Sequence, residues 1–468
     1  MFIFYDFETS SKEQIGQILT YSFLVVDDNY NIKDELTGAI KLNRTQLPDI
    51  DAILTNKIDV LELQKIGDPE PEAATKIHKF LGKQVHHYGN AILVGYNSNS
   101  FDLNFLRGLL IRYGLNPYYM GKLKNLDILH YVHFIAFENP DSFLWQKSIN
   151  RNDLPYYSFK LEFMAKAYGL LEGSQTHSAR EDVILTIDLV KALESKHQLK
   201  LKNFLSIKLP VNFSSQLISE VAKQKTTHYL EKTGEPLQKF VYNYWQKIFG
   251  TNKEKVVLNL KKYREVLAKE IEDKKEYQAA VLGAIRYINH NKHFFVLEPF
   301  SDSERSDWQP VIDQSENDDF LKSLSRDNYF ALTKKDWDIE YQIHELGFER
   351  IDRLNILVKK LFQDPNQYQD LLASLLRSRS DEKDNHLIRL FNRVYLNFHP
   401  SPDPAYMLKY LEPRYIKGTM LRDQSELVLL DDYKIRLDEI INSTEYQALD
   451  RKIISSLKQY FINFKKML

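Results

Sequence analysis

The chain has 468 residues, more than one hydrophobic core usually supports, so two to four domains are expected. Hydrophobic residues make up 43% and charged residues 27%, a globular mixture, and 63 Lys+Arg against 64 Asp+Glu exclude nucleic-acid binding by net charge; only local basic patches could supply it. No apolar run nears the roughly 18 residues of a membrane span, no basic-then-apolar signal core opens the chain, and the absence of cysteine excludes disulfides and thiolate zinc sites, all of which fits a cytoplasmic protein without membrane contact.

The first element, FIFYDFETS, has strand-like composition yet carries two carboxylates, Asp6 and Glu8. Positions i and i+2 of a strand share a face, so the two charges project side by side and repel each other. A basic side chain or a divalent metal is expected between them. GQILTYSFLVVDDNYNI predicts a strand pair turning at Asp27-Asp28-Asn29, and AATKIHKFLGKQV has helical spacing. AILVGYN predicts a short buried strand ending at Gly95, and FDLNFLRGLLIRYGL the helix after it. NLDILHYVHFIAF, SFKLEFMAKAYGL and EDVILTIDLVKALESKH predict three more helices. The alternation is that of an α/β domain over residues 1–200.

From 203 to 335 the sequence turns β-rich and aromatic in LSIKLPVNFSS, KFVYNYWQKIF, KVVLNLK and AAVLGAIRYINHNKHFFVLEP, which predicts a small antiparallel sheet or barrel. SDSERSDWQPVIDQSENDD within it is Ser/Asp-rich and predicts a loop. From 337 to 468 the pattern is helical: IDRLNILVKKLFQ, QYQDLLASLLRS, NHLIRLFNRVYLNF and YQALDRKIISSLKQYFINFKK.

Three motifs carry chemistry. Beside Asp6 and Glu8 stand Asp102 in GYNSNSFDLNFL, at a strand-to-helix junction, and His177 with Asp182 in THSAREDVILTIDL, on the approach to a helix and in its first turns. Taken singly, each has a plain structural use: an acid at a helix N-terminus is favourable against the dipole, and a histidine there is often a cap. Taken together, four carboxylates and an imidazole in this order resemble the DEDDh 3′–5′ exonucleases, and the five-residue step from His177 to Asp182 resembles their histidine subtype. SFKLEFMAKAYGL, IRYINHNKHFFVLEP, LIRLFNRVYLNF and LKYLEPRYIKGTML extend the resemblance to the exonuclease I family over nearly the whole chain. The resemblance implies an RNase H-like nuclease domain with a mixed sheet flanked by helices, then an SH3-like β-barrel and a C-terminal all-α domain, closing as a C-shaped clamp. The segment 210–280 departs from the family pattern.

Phosphodiester hydrolysis needs an activated water and stabilisation of charge on the phosphoryl and leaving oxygens, which two hard cations held by carboxylates supply. The resemblance implies two Mg²⁺ ions, replaceable by Mn²⁺, with Asp6 shared, Glu8 and Asp182 completing one position and Asp102 supporting the other. His177 would act as general base, a role that suits imidazole because its ordinary pKa lies near neutrality. It also implies substrate contacts at Phe7, Thr9 and Lys160, and, lining the clamp, Arg414 and Lys417. The aromatics of KFVYNYWQKIF and IRYINHNKHFF could stack bases or simply pack a core. The implied activity is processive hydrolysis of single-stranded DNA by a monomer in repair or recombination, with the single-stranded-DNA-binding protein as a partner. Two alternatives stay open: an RNA or oligonucleotide exonuclease, since the five residues do not distinguish the sugar, and a nucleic-acid-binding module without catalysis.

Overall fold

The computed structural model describes residues 1–149, 155–173, 178–206, 226–231, 241–250, 254–289, 296–298, 301–325, 338–341, 343–419, 429–443 and 448–467, with a few isolated positions between them. The chain divides into two compact units. One comprises residues 1–127, 173–187 and 335–468; the other comprises 128–172 and 188–334.

The first unit is built on a five-stranded mixed sheet. In chain order it contains β1 (Phe2–Thr9), β2 (Ile18–Val26), β3 (Ile32–Ala39), α1 (Ile50–Asn56), α2 (Val60–Ile66), α3 (Glu70–Tyr88), β4 (Ala91–Gly95), α4 (Asp102–Arg112) and β5 (Leu123–Asp127). The spatial order is β3-β2-β1-β4-β5; the first three strands are antiparallel and β4 and β5 run parallel to β1. β1 is therefore the central strand, and all of it is buried except half-buried Asp6. The β2–β3 turn forms where expected, because Asp27 Oδ1 accepts the N–H groups of Asn29 and Asn31, both at 2.9 Å. NLDILHYVHFIAF is not one helix: Asn125, Leu126 and Asp127 finish β5, and only then does the helix α5 (Ile128–Glu138) begin. The segment is apolar on both sides of that boundary, so periodicity alone does not mark it.

The C-terminal helices Phe348–Gln363, Tyr368–Arg377, Glu382–Phe398, Pro404–Leu411, Leu430–Asn442 and Ala448–Lys465 belong to this same unit. One continuous core runs from Ile3, Tyr5, Phe7 and Phe23 to Leu354, Phe391, Leu437 and Leu457. A buried ion cluster crosses it. Arg112 bonds Glu340 (2.7 Å) and Glu70 (3.1 Å), Arg393 bonds Glu340 (3.0 Å), and Arg414 bonds Asp338 (2.7 Å), all with side chains no more than 1% exposed. Their mutual charge holds Glu70 and Glu340 below the usual carboxylate range despite burial.

The second unit holds α5, the hairpin of β6 (Gln146–Ile149) and β7 (Pro155–Ser158), and the short helix α6 (Leu161–Ala167). It also holds a second five-stranded, wholly antiparallel sheet. That sheet is formed by Thr226–Glu231, Val241–Gly250, Glu254–Asn259, Ile285–Asn289 and Val296–Glu298, so the β-rich expectation holds for KFVYNYWQKIF and KVVLNLK. Positions 207–215, within LSIKLPVNFSS, and the side chains of KFVYNYWQKIF other than Ile248 lie outside the described residues. The region is less purely β than expected, because helices Leu260–Leu267 and Lys274–Ala284 interrupt it. SDSERSDWQPVIDQSENDD is not a loop but the helix Asp302–Asn317. Ser301 and Glu304 form a reciprocal capping box at its start, and Trp308, Val311, Ile312 and Ser315 bury one face. Among the described residues no helix is long and apolar enough to cross a membrane.

Candidate metal centre

β1 places Asp6 and Glu8 on the face opposite Tyr5 and Phe7, whose rings stack into the core with Phe23. The helix α7 (Ala179–His197) brings Asp182 to them in its first turn. One carboxylate oxygen from each of Asp6, Glu8 and Asp182 lies within 4.8 Å of the others. Asp6 is half-buried; Glu8 and Asp182 are 7% and 4% exposed. Asp102, the first residue of α4, is buried near this trio, and its charge acts on both Asp6 and Glu8.

This crowding dominates the electrostatics. Burial, then Asp102, Glu8 and Asp182, push the Asp6 carboxyl well above its ordinary value. Burial, then Asp182 and Asp102, push Glu8 up to about 8. Burial and the charge of Asp127 push Asp102 to about 8, against backbone hydrogen bonds from its own N–H and that of Phe7. Two occupants are expected for the space between Asp6 and Glu8, and among the described residues no basic side chain, the first of them, contributes to these shifts. A divalent cation is the other, and the residues fit one. The donors are all carboxylate oxygens, as hard cations prefer, and Asp102 Oδ1 is buried with no hydrogen-bond partner.

The remaining expected residues divide. His177 lies outside the described residues. Phe7 is 4% exposed in the aromatic core, so its ring is packing and its N–H is what reaches the site. Thr9 is buried with its hydroxyl donating to the Ser11 carbonyl (2.8 Å), a local strand-end bond. Lys160 is exposed at the N-cap of α6, in the other unit. Arg414, expected to line a DNA path, is instead fully buried on Asp338 and Glu340, with no surface to offer a phosphate. Lys417 is exposed and pairs with Glu412 (3.0 Å). Sequence reasoning missed Asn125 and Asp127, read as helix, although both stand at the end of β5 beside the turn that carries Asp102.

No family model matches the chain. It is 30% identical over 208 residues to exodeoxyribonuclease I of Buchnera aphidicola subsp. Schizaphis graminum, covering 43% of this chain and 41% of the relative. It is 27% identical over 200 residues to exodeoxyribonuclease I of the Acyrthosiphon pisum subspecies, covering 42% and 46%. The match thus spans less than half the length of each relative. Solved structures align over 99% of both chains: exonuclease I from Methylocaldum szegediense (TM-score 0.67, 18% identity), E. coli exonuclease I in complex with a 5cy-dA13 oligonucleotide (0.68, 18%) and an ExoI/SSB-Ct complex (0.67, 17%). The chain therefore has the fold of exonuclease I along its length and is similar in sequence to exodeoxyribonuclease I over 43% of it.

Proposed function

We propose that this protein is a metal-dependent 3′–5′ exonuclease that hydrolyses single-stranded DNA to 5′-mononucleotides, in DNA repair or recombination. The observation that carries the reading is the meeting of Asp6, Glu8 and Asp182 within 4.8 Å, beside the unpartnered buried oxygen of Asp102. The likeness to exodeoxyribonuclease I in sequence and to oligonucleotide-bound exonuclease I in fold supports the substrate.

Asp6, Glu8 and Asp182 would hold one divalent ion and Asp102 would support a second, with Asp6 shared; Mg²⁺ is the natural ion and Mn²⁺ a substitute. When bound, such ions supply activation of water and neutralise charge on the phosphoryl and leaving oxygens. The chain's own residues do the rest. Glu8 and Asp182 would present their carboxylates from buried positions, and Asp6 from a half-buried one. His177, by its place in the motif, takes the proton of the attacking water.

The second sheet, within residues 203–335, would be the SH3-like domain of the family and residues 337–468 its helical domain, with residues 1–200 as the nuclease. Lys160 and Lys417 remain candidate phosphate contacts. A single-stranded-DNA-binding protein is the proposed partner, supported by the likeness to the ExoI/SSB-Ct complex, and the protein would act as a cytoplasmic monomer.

The test is a strand labelled at either end, as DNA and as RNA, incubated with the full chain. With Mg²⁺, the 3′ label should appear at once as mononucleotide while 5′-labelled DNA shortens progressively, and EDTA should stop both. Early release of the 5′ label, or equal loss of RNA, would overturn the direction or the substrate.

A further inference from the structure

We infer that Asn125 and Asp127 are positioning residues for Asp102, an inference that rests on the nuclease reading above. The Asp102 carboxylate accepts backbone hydrogen bonds from its own N–H and that of Phe7, while Oδ1 is buried without a partner, so its direction depends on how the turn that carries it is set against β1. That turn, residues 95–102, is tight. It leaves β4 at Gly95, where an added Cβ would come within 2.7 Å of Ser98 Cβ and 3.1 Å of the Tyr5 carbonyl oxygen. It passes through Asn97 in the left-handed region (φ 57°) and enters α4 with the Leu103 N–H on the Ser98 carbonyl (2.9 Å).

β5 grips this turn from the side. Asn125 and Asp127 are two apart and project to one face of the strand, with Asp127 opposite Gly95 in the parallel register. Asn125 Oδ1 accepts the Tyr5 hydroxyl (2.8 Å), and its Nδ2 donates to Ser98 Oγ (3.2 Å) and Asn99 Oδ1 (2.8 Å). Asp127 Oδ2 accepts the Asn99 N–H (3.0 Å). One side chain thus ties the turn to β1, the strand of Asp6 and Glu8, and the other fixes the backbone three residues before Asp102. Asp127 is 2% exposed, so water cannot replace it as the acceptor without a rearrangement.

The experiment compares Asp127→Ala, Asp127→Asn and Asn125→Ala in the full chain. The readouts are Mn²⁺ affinity by calorimetry, thermal melting, and kcat and KM on single-stranded DNA. Groups that orient metal ligands are typically worth about 10–100-fold in affinity or rate. Both Ala variants should weaken Mn²⁺ and lower kcat by about that factor, with KM for DNA within about two-fold. Asp127→Asn retains an oxygen for the Asn99 N–H and should restore most of the Mn²⁺ affinity. Unchanged Mn²⁺ affinity in folded Ala variants would overturn the inference, as would an Asn variant no better than Ala. If Asp127→Ala does not fold, Asn125→Ala and Asp127→Asn decide it. Failure of the wild type to cleave DNA would sink the nuclease reading alone, because Mn²⁺ binding reports on the turn independently.

Discussion

In metal-free buffer, Glu8→Gln should make the protein more stable, and the gain should grow with pH. In the folded protein the Glu8 carboxyl holds its proton up to about pH 8, whereas its ordinary value is 4.5. A folded pKa above the unfolded one means that the stability associated with this group is intact below pH 4.5 and is lost as pH rises toward 8. At pH 7 the loss is about 3 kcal/mol, from 1.36 kcal/mol for each pH unit above the ordinary value. Glu8 is only 7% exposed, so solvent screens little of this, but Asp182 and Asp102 share the repulsion, and about 1–3 kcal/mol is expected for the single change. The assay is thermal unfolding in EDTA at pH 5 and pH 8. The Gln variant should match the wild type at pH 5 and melt several degrees higher at pH 8, and saturating Mn²⁺ should erase or reverse the difference by stabilising the wild type. A wild type more stable than the variant at pH 8 in EDTA would refute the reasoning, since the carboxylates would then not be in uncompensated repulsion.

Glu340→Ala leaves Arg112 and Arg393 facing an empty place in the core and should cost about 3–5 kcal/mol, read by urea unfolding of the first unit. His177→Ala should lower turnover by about 10²–10⁴ while binding of DNA holds; weakened binding with intact turnover would make His177 a substrate contact instead. Ser301→Ala removes the cap of the helix Asp302–Asn317 and should cost the second unit about 1 kcal/mol, an effect that a loop would not show.

What could be read from the sequence is what local pattern encodes. FIFYDFET announces a buried strand and the same-face acids, and the spacing of Asp102 and Asp182 places each near a helix start, where the structure has them. The polar helix at 302–317 was legible too, through its Ser301 and Glu304, but its Ser/Asp-rich composition argues the other way. Arg414 shows where local pattern stops. An arginine is solvent-exposed by default, and nothing near it in sequence announces burial. Its cluster pairs residues as distant as Arg112 with Glu340, 228 apart, and Arg393 with Glu70, 323 apart. The period of two that brings Asp6 and Glu8 to one face sends Phe7 to the opposite face, and the Thr9 hydroxyl donates to the Ser11 carbonyl, placements that the strand pattern alone does not separate from substrate contact.

The central claim is that the Asp6, Glu8 and Asp182 carboxylates are there to hold divalent cations for DNA cleavage. Single-turnover cleavage of 3′-labelled single-stranded DNA by the wild type and by Asp182→Asn, with Mn²⁺ affinity measured on the same samples, tests it most directly. The account predicts that Asp182→Asn loses Mn²⁺ binding and cleavage together while melting in EDTA as high as the wild type or higher. A variant that keeps more than about a tenth of wild-type cleavage, or loses cleavage with Mn²⁺ binding intact, would contradict it.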